Sequence, residues 1–352
     1  MKEFSDAVTD DLVTVLMPVR VQTATDSRLQ QWFKQALQSL VEQSYSNLEI
    51  LLIGDSDRRV ERWLPRNISR LSNLQIVARE EPGLVAALNT GIKVASGNLI
   101  ARMDADDIAL PERISRQVQL LQQQPAVDFC ATAVEIFGPP GGITDGSRRY
   151  QDWLNSQISS EAIQHSVFIE SPMPHPSWML RRQLFQQLGG YRRKQWAEDY
   201  DLVLRAWLAG SIMAKPQGGP LLRWREHELR LTRSDQLYSR HNFLRAKAWA
   251  LSQSLLKQRN AIILGTGSNA KRLHDALRDN DVSVSCFVEL NNAHHKTTLK
   301  KLPIINYDEL ATGNYRSDLI VSAVTRYGAR CLIRQWFDTH KMIDGVDYIF
   351  AG

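Results

Sequence analysis

Three carboxylates stand within four positions of one short segment. In "ARMDADD", residues 101–107, Asp104, Asp106 and Asp107 directly follow an apolar run. Their charges repel one another unless a cation neutralises them. An Asp-x-Asp at the end of a strand suits a hard divalent cation, Mg2+ or Mn2+, which one or two carboxylates hold while substrate phosphates complete its ligand shell. The alternative is an acidic loop that faces solvent without a metal ion.

A calcium loop of the EF-hand type is excluded at this position. Counted from Asp104, such a loop needs Gly at its sixth position and Glu at its twelfth, where this chain has Ala109 and Ser115. A helix cap would use one acid. Pro111, which is expected to open the next helix, lies several residues later. At least two carboxylates are therefore left for another role.

A second acidic stretch, "AEDYD" at 197–201, precedes a run with helical periodicity. Acids in the first turn of a helix are stabilised by the helix dipole, and we interpret Asp201 in this way. For Glu198 and Asp199, the residues alone leave both a structural role and a chemical role open.

Length and composition indicate a globular protein. With 352 residues, 43% of them hydrophobic, the chain can bury a sizeable core and is expected to form about two domains. Its cysteines, Cys130, Cys286 and Cys331, show no disulfide or zinc spacing, which favours a reducing, cytoplasmic location. The acidic N-terminus lacks the features of a signal peptide, and no apolar run approaches the ~20 residues of a membrane span. We expect a soluble or peripheral protein.

Positive charge is concentrated between residues 223 and 259. This segment holds nine Lys or Arg against three acids, although the whole chain has a net charge of only +5. Such an excess could face an anionic membrane surface, and we expect no nucleic-acid partner. The alternative is a solvated helix face, because leucines and alanines recur at helical spacing in the same segment.

Apolar runs alternate with helical patterns through the first half of the chain. This order predicts an α/β fold with a parallel sheet. Ligands of such sheets bind beyond the carboxyl ends of the strands, where Asp55 and the 104–107 cluster are expected. The predicted strands are 12–19, 48–53, 74–78 and 99–103, and the predicted helices are 29–43, 83–95 and one that begins at Pro111.

The pattern restarts near residue 259 and predicts a smaller Rossmann-like domain. Strands are expected at 261–264, 282–289 and 319–324, with a helix from about 328. The predicted organisation is therefore a first domain over 1–235, a basic helical linker over 236–258 and an accessory domain over 259–352.

A glycine-rich turn marks the accessory domain. "GTGSNA" at 265–270 follows a predicted strand, and Glu289 lies 22 residues beyond Gly267. With Gly265, these residues have the spacing of a dinucleotide site and define a possible second nucleotide site. The spacing leaves an NAD-dependent oxidoreductase or a sugar-nucleotide-binding activity open for this domain. A non-catalytic docking module is a third interpretation.

Taken together, six stretches resemble a family 2 glycosyltransferase with the GT-A fold over residues 12 to about 235. One departure is visible, because the second stretch has Gly54 where the family usually has the first of two adjacent acids, which leaves Asp55 as the match. The stretches, in order, are "LMPVR" (16–20), "QSYSNLEILLIGDSD" (43–57), "GLVAALNTGIKVASGNLIARMDADD" (83–107), "HPSWMLRRQLFQQLGGY" (175–191), "AEDYDLVLR" (197–205) and "LLRWREH" (221–227).

The resemblance implies a site for a nucleotide-sugar donor and a divalent cation, Mn2+ or Mg2+. Asp106 would be the direct metal ligand, Asp104 would bind the ribose or assist the metal, and His227 would approach the diphosphate or the metal. The remaining donor-binding residues implied by the resemblance are Pro18, Val19, Arg20, Asp55, Gly83 and Asn89.

The resemblance also implies how the acceptor reacts. Asp199 would act as the general base on the acceptor hydroxyl, Glu198 would orient the acceptor, and His175 would line the acceptor side. A single in-line displacement would invert the anomeric configuration. Enzymes of this kind transfer a hexosyl or N-acetylhexosaminyl group to a lipid-linked or oligosaccharide acceptor. They build bacterial surface polysaccharides at the inner face of the membrane.

Overall fold

The computed structural model describes residues 11–21, 27–55, 59–139, 141–289, 297–313, 315, 317–326 and 328–352. The N-terminal residues 1–10, and residues 56–57 of the second stretch, lie outside this part of the chain. None of the helices within it is both long enough and apolar enough to cross a membrane.

The strands and helices that were predicted are present in the predicted order, with bounds within a few residues of those predicted, and further elements lie between residues 127 and 238. The strands are β1 Val13–Pro18, β2 Leu48–Gly54, β3 Leu74–Ala78, β4 Leu99–Arg102, β5 Ile108–Ala109, β6 Val127–Cys130, β7 Ala133–Phe137, β8 Met179–Arg181, β9 Ile212–Ala214, β10 Pro220–Arg225, β11 Ala261–Leu264, β12 Val284–Val288, β13 Thr298–Leu299, β14 Leu302–Ile305, β15 Leu319–Ser322 and β16 Tyr348–Phe350. The helices are α1 Ser27–Val41, α2 Leu84–Val94, α3 Arg113–Gln123, α4 Asp145–Ser156, α5 Ser160–Ser166, α6 Arg182–Leu188, α7 Glu198–Leu208, α8 Leu231–Ser234, α9 Arg240–Ser252, α10 Ser268–Arg278, α11 Tyr307–Thr312 and α12 Ala329–Thr339.

The chain forms two compact units. The first unit comprises 1–160, 173–193 and 211–228, and the second comprises 161–172, 194–210 and 229–352. Each predicted domain was one continuous stretch of sequence, whereas each of these units is assembled from three separate stretches. The predicted domain boundaries stay a prediction.

A seven-stranded sheet in the order β3-β2-β1-β4-β8-β6-β9 forms the core of the first unit. β1 pairs in parallel with both β2 and β4, and Leu16 lies opposite Leu51 on one side and Arg102 on the other. The carboxyl ends of these strands therefore meet at one edge, as predicted. The sheet is mixed rather than wholly parallel, because β8 pairs antiparallel with β4 and β6.

A small second sheet, β5-β10-β7, completes the first unit. β5 is the two-residue strand directly after the acidic cluster, and β10 runs antiparallel to it with Arg223 opposite Ile108. This pairing brings the segment that follows β10 to the acidic cluster, more than 100 residues away in sequence.

The sheet of the second unit has the order β13-β14-β12-β11-β15-β16. β11 pairs in parallel with β12 and β15, so the glycine turn follows a central strand. In α9, buried Lys247 donates from Nζ to the carbonyl oxygens of Ile169 and Ala351, at 2.9 and 3.0 Å. These bonds tie residues 161–172 and α9 to the end of the C-terminal sheet.

Gly97 lies where two strands leave no room for a side chain. A Cβ at this position would overlap the carbonyl oxygen of Leu12 and lie 2.8 Å from the amide nitrogen of Thr14. We expect Gly97→Ala to lower the free energy of unfolding by about 1–3 kcal/mol, because backbone must shift to accept the methyl group.

Chemical denaturation of Gly97→Ala and Gly146→Ala measures this cost. Gly146 lies in α4, where an added Cβ meets only the Thr144 hydroxyl at 3.5 Å. This control is expected to be neutral or slightly stabilising. Equal stability of the two variants would show that the strands at Gly97 are not closely packed.

Lys215 is a buried cation whose Nζ donates to the carbonyl oxygen of Leu154 at 2.6 Å. Burial lowers the pKa of this lysine from 10.5 to about 7. Between about pH 7 and pH 10.5 this lysine binds more protons in the unfolded chain than in the folded protein, so the free energy of unfolding rises with pH. The slope is at most about 1.4 kcal/mol per pH unit.

Denaturation of wild type and Lys215→Met between pH 6 and pH 10 isolates this contribution. Below pH 7 the lysine is protonated in both states, so the stability difference between the two proteins is constant. Above pH 7 the difference shifts progressively in favour of wild type. A difference that does not change with pH would contradict the lowered pKa.

Candidate functional site

A fully buried arginine anchors the strand that leads into the acidic cluster. Arg113, near the start of α3, donates from Nη2 to the carbonyl oxygen of Arg102 at 2.5 Å and from Nε to Gln117 at 3.2 Å. Burial lowers its pKa to about 10, so it is still a cation at neutral pH. A buried positive charge therefore lies directly behind the three aspartates.

Arg102 pairs with the first aspartate of the cluster. Its Nη1 and Nη2 contact the two carboxylate oxygens of Asp104 at 2.8 and 2.5 Å. Burial is the largest single influence and lowers the pKa of Arg102, but the attraction to Asp104, Tyr191 and Asp107 and the hydrogen bond to Asp104 together outweigh burial, so the pKa is raised. Bidentate pairs of this kind fix the orientation of a carboxylate as well as its charge.

The second aspartate contacts a histidine that lies two residues after the end of β10. Nε2 of His227 lies 2.7 Å from Oδ2 of Asp106, although the two residues are 121 positions apart. The His227 ring is buried and packs against Trp32 of α1, with ring centroids 4.7 Å apart. The structure thus brings together two residues that the resemblance assigned to the metal.

The third aspartate is a structural anchor. Asp107 is only 1% exposed, and its Oδ1 accepts a hydrogen bond from the backbone N–H of Arg225 at 2.7 Å. It joins the acidic loop to the last residue of β10.

The donor set fits a divalent cation. Ligand oxygens of Asp104, Asp106 and Asp107 lie within 4.8 Å of one another. Oδ2 of Asp106 and Nε2 of His227 lie at a hydrogen-bond distance of 2.7 Å, so an oxygen and a nitrogen donor atom are adjacent at this point. Carboxylate oxygens suit Mg2+ and Mn2+, whereas imidazole suits later transition metals such as Fe and Zn. A cation here would also relieve the repulsion among the carboxylates.

Residues predicted to border the nucleotide lie at the neighbouring strand ends. Val19 continues from β1 and donates its N–H to Ile53 at 2.8 Å, and Pro18 and exposed Arg20 lie beside it. Asp55, after β2, forms an ion pair with Arg79.

Two glycines lie on this side of the unit. Gly83 precedes α2 with φ of +108°, a conformation that favours glycine. At Gly54, where the family usually has an acid, an added Cβ would meet Val19 and Val60 at 3.7 Å, which is an ordinary van der Waals contact.

Asn89 and His175 both contact Tyr191. The Asn89 amide donates to the carbonyl oxygen of Tyr191 and accepts from its N–H, both at 2.9 Å. Nε2 of His175 lies 2.9 Å from the Tyr191 hydroxyl. Burial, helped by the charge of Arg102, holds the pKa of His175 well below its usual 6.5, so the ring is neutral. In this structure the Asn89 side chain holds the backbone of Tyr191. The predicted roles of Asn89 toward the donor and of His175 toward the acceptor stay predictions.

The second acidic stretch lies in the second unit, and its three acids have three different environments. Buried Glu198 accepts from the Tyr238 hydroxyl at 2.8 and 3.0 Å. Asp201 lies in the first turn of α7, as interpreted from the sequence; it is also fully buried, and its Oδ2 accepts from Arg205 Nε at 2.7 Å. Asp199 is partly exposed, and its Oδ1 accepts the N–H of Tyr200 at 2.7 Å.

In the same unit, the glycine turn and Glu289 lie together. Gly265 has φ of +110°, Gly267 precedes α10, and the Thr266 hydroxyl donates to Glu289 Oε1 at 2.7 Å. The turn has the expected position, and the second nucleotide site stays a prediction.

Several residues around the cluster were missed by the sequence analysis. Arg113 and Arg102 lie beside the acidic motif, but a buried role for an arginine has no local signal. Trp32 belongs to a helical apolar pattern. Arg225 lies two residues before His227, within the stretch 221–227 that resembles the family. This position was the available signal that Arg225 lies near the site.

The family and the relatives that match this chain are glycosyltransferases, in agreement with the resemblance of the six stretches. Residues 15–189 match the family described as "Glycosyl transferase family 2". The chain is 31% identical over 185 residues to "Amylovoran biosynthesis glycosyltransferase AmsE" of Erwinia amylovora, covering 51% of this chain and 66% of that protein. It is 24% identical over 197 residues to "O-antigen biosynthesis glycosyltransferase WbnJ" of Escherichia coli, covering 55% and 71%. The match thus spans just under two thirds of the AmsE protein.

Among solved structures, the chain is similar to S. aureus TarS 1-349 in complex with UDP-GlcNAc. The TM-score is 0.53 at 14% identity, and the match covers 85% of this chain and 77% of that one. A second structure of TarS 1-349 gives a TM-score of 0.50 at 15% identity, covering 68% and 65%. At these identities the likeness shows the fold, a mixed α/β GT-A architecture with an additional domain.

The contact between Asp106 and His227 predicts metal binding at these two residues. We expect Mn2+ to bind the wild-type protein, and Asp106→Ala and His227→Ala each to weaken binding by at least tenfold, because each removes one ligand. Isothermal titration with Mn2+ measures the affinity.

Asp152→Ala is the matched control. Asp152 is an exposed acid on α4, outside the cluster, and its removal should leave Mn2+ affinity unchanged. Wild-type affinity in both cluster variants would contradict the assignment.

Proposed function

We propose that this chain, whose residues 15–189 belong to glycosyl transferase family 2, is an inverting, metal-dependent glycosyltransferase that moves a sugar from a nucleotide-sugar donor to an acceptor hydroxyl. The observation that carries metal dependence is the 2.7 Å contact between His227 Nε2 and Asp106 Oδ2. It places an imidazole and a carboxylate at the carboxyl edge of an α/β sheet, where ligands of such sheets bind.

The proposed donor site is built from the described edge of the first unit. Asp106 and His227 would hold the cation, which when bound stabilises the negative charge that develops on the departing nucleoside diphosphate. Asp104, oriented by Arg102, would accept hydrogen bonds from the ribose hydroxyls. Asp55 would accept from an N–H of the base.

The proposed general base is Asp199. Its carboxylate is partly exposed, whereas Glu198 is buried and bonded through both oxygens to Tyr238. A base must reach the proton of the acceptor hydroxyl, so the exposed carboxylate is the better choice. Glu198 would orient the acceptor, and its bond to Tyr238 fixes its own position. Direct attack on the anomeric carbon, with departure of the diphosphate from the opposite side, inverts the configuration.

We propose a hexose or N-acetylhexosamine as the transferred sugar and a lipid-linked or oligosaccharide acceptor in surface polysaccharide synthesis. Support comes from relatives whose names refer to amylovoran and O-antigen biosynthesis. A cytoplasmic location at the inner membrane face would give access to lipid-linked acceptors. Exposed Arg233, Arg240 and Lys257 would meet anionic headgroups there, while Lys247 of the same segment is buried inside the protein.

Turnover with a panel of nucleotide sugars tests the proposed activity. UDP- and GDP-linked hexoses and N-acetylhexosamines are offered with Mn2+, with and without EDTA, and release of the nucleoside diphosphate is measured. We expect one donor class to be hydrolysed or transferred and EDTA to abolish the reaction. Release that is unaffected by EDTA would refute metal dependence, and turnover of NAD(H) in place of every sugar nucleotide would favour the oxidoreductase.

A comparison of Asp199→Asn with Asp106→Ala separates the base from the metal ligand. The amide at 199 keeps the side-chain shape and removes its basicity, so turnover should fall by about 10²–10⁴-fold while Mn2+–nucleotide affinity persists. Asp106→Ala should lose both turnover and affinity.

Calorimetric titration with nucleoside diphosphate and Mn2+ supplies the second measurement. Asp201→Asn is not a suitable control, because Asp201 is buried and bonded to Arg205. Exposed Asp152→Asn serves instead. Normal turnover in Asp199→Asn, or a loss of nucleotide affinity as large as in Asp106→Ala, would rule out Asp199 as the base.

A further inference from the structure

Arg225 makes two separate contacts with the backbone and side chains of the acidic loop. Its backbone N–H donates to Oδ1 of Asp107 at 2.7 Å, and its side-chain Nε donates to the carbonyl oxygen of Asp106 at 2.6 Å. Asp106 is the residue whose carboxylate faces His227. Arg225 therefore fixes the main chain on which that carboxylate is carried.

The same guanidinium reaches the first helix. Nη2 of Arg225 donates to Oε1 of Gln35 in α1 at 2.8 Å. α1 also carries Trp32, the ring against which His227 packs. A single side chain thus connects the loop of one proposed ligand, Asp106, to the helix that supports the other, His227.

Two aromatic rings limit where this guanidinium can lie. Its central carbon is 5.1 Å from the centroid of Trp32 and 4.5 Å from that of Phe137. Cation–π contacts of this kind favour a guanidinium over an ammonium when hydrogen bonds must also be made in the plane. The Nε and Nη2 bonds point to different elements, and the one ammonium of a lysine cannot reproduce both.

We infer that Arg225 is a positioning residue that sets the affinity of the Asp106–His227 pair for a divalent cation, by fixing the backbone of the Asp104–Asp107 loop against α1. The inference rests on the proposed function, because it assigns the cation to that pair. Partners in the outer shell of a metal site typically change metal affinity by 10–100-fold when they are removed.

Two variants test the inference, each with a matched control. Arg225→Lys keeps the charge and removes the forked contact, and Gln35→Met removes only the acceptor, because Gln35 is an exposed residue of α1. Arg116→Lys is the first control, because Arg116 also donates to a backbone carbonyl, that of Gln217, but lies away from the loop. Gln38→Met is the second, because Gln38 lies on the same helix and bonds to Glu42.

Mn2+ alone is titrated into each full-length protein and followed by electron paramagnetic resonance. Amide hydrogen exchange over residues 104–110, without metal, and the thermal midpoint are measured beside it. We expect Arg225→Lys to weaken Mn2+ binding by about 10–100-fold and to speed exchange in the loop, with a wild-type thermal midpoint. Gln35→Met should give a smaller loss of affinity, and both controls should match wild type.

Wild-type Mn2+ affinity in Arg225→Lys would overturn the inference. The inference would also fail if Arg225→Lys lost Mn2+ affinity only together with a lowered thermal midpoint, while Gln35→Met bound Mn2+ normally. Absence of Mn2+ binding by the wild-type protein would refute the proposed metal-dependent function, and with it the role in metal affinity. Loop exchange would then still show whether Arg225 orders the loop.

Discussion

The repulsion among three aspartates at the end of one strand is the constraint around which the first unit is organised. Each carboxylate is placed by a different partner: Arg102 pairs with Asp104, His227 faces Asp106, and the backbone of Arg225 binds Asp107. Three different partners give three different orientations. The cluster consequently presents one carboxylate beside an imidazole instead of three equivalent, mutually repelling acids.

Buried cations behind the loop make this arrangement stable. Arg113 has no exposed surface, yet it is bonded to the carbonyl oxygen of Arg102 and to Gln117, whose amide in turn donates to Ser177 at 2.8 Å. A buried charge is costly unless it is bonded and compensated. The nearby aspartates compensate it, so acids and arginines in this region depend on each other.

Tyrosines have a similar organising role around two other predicted residues. Tyr191 connects Asn89 on α2 with His175 in the short 3-10 helix before β8, and Tyr238 binds Glu198. In each case a polar side chain singled out for chemistry is also part of a hydrogen-bond network. Asp199 is partly exposed, whereas its neighbours Glu198 and Asp201 are buried.

The sequence by itself determined the main strands and helices at the start of the chain, the main strands after residue 259, the position of the acids at a strand end and the glycine turn after β11, because periodicity and turn chemistry are local properties. Only the tertiary structure decided which distant groups meet. The pairing of β5 with β10 places His227 and Arg225 at the acidic loop, and Asn89 reaches Tyr191 across 102 positions. The sequence pattern also did not indicate that residues 161–172 and 194–210 belong to the same unit as the C-terminal sheet. Such contacts depend on how whole elements pack, and no local pattern records the choice of packing partner.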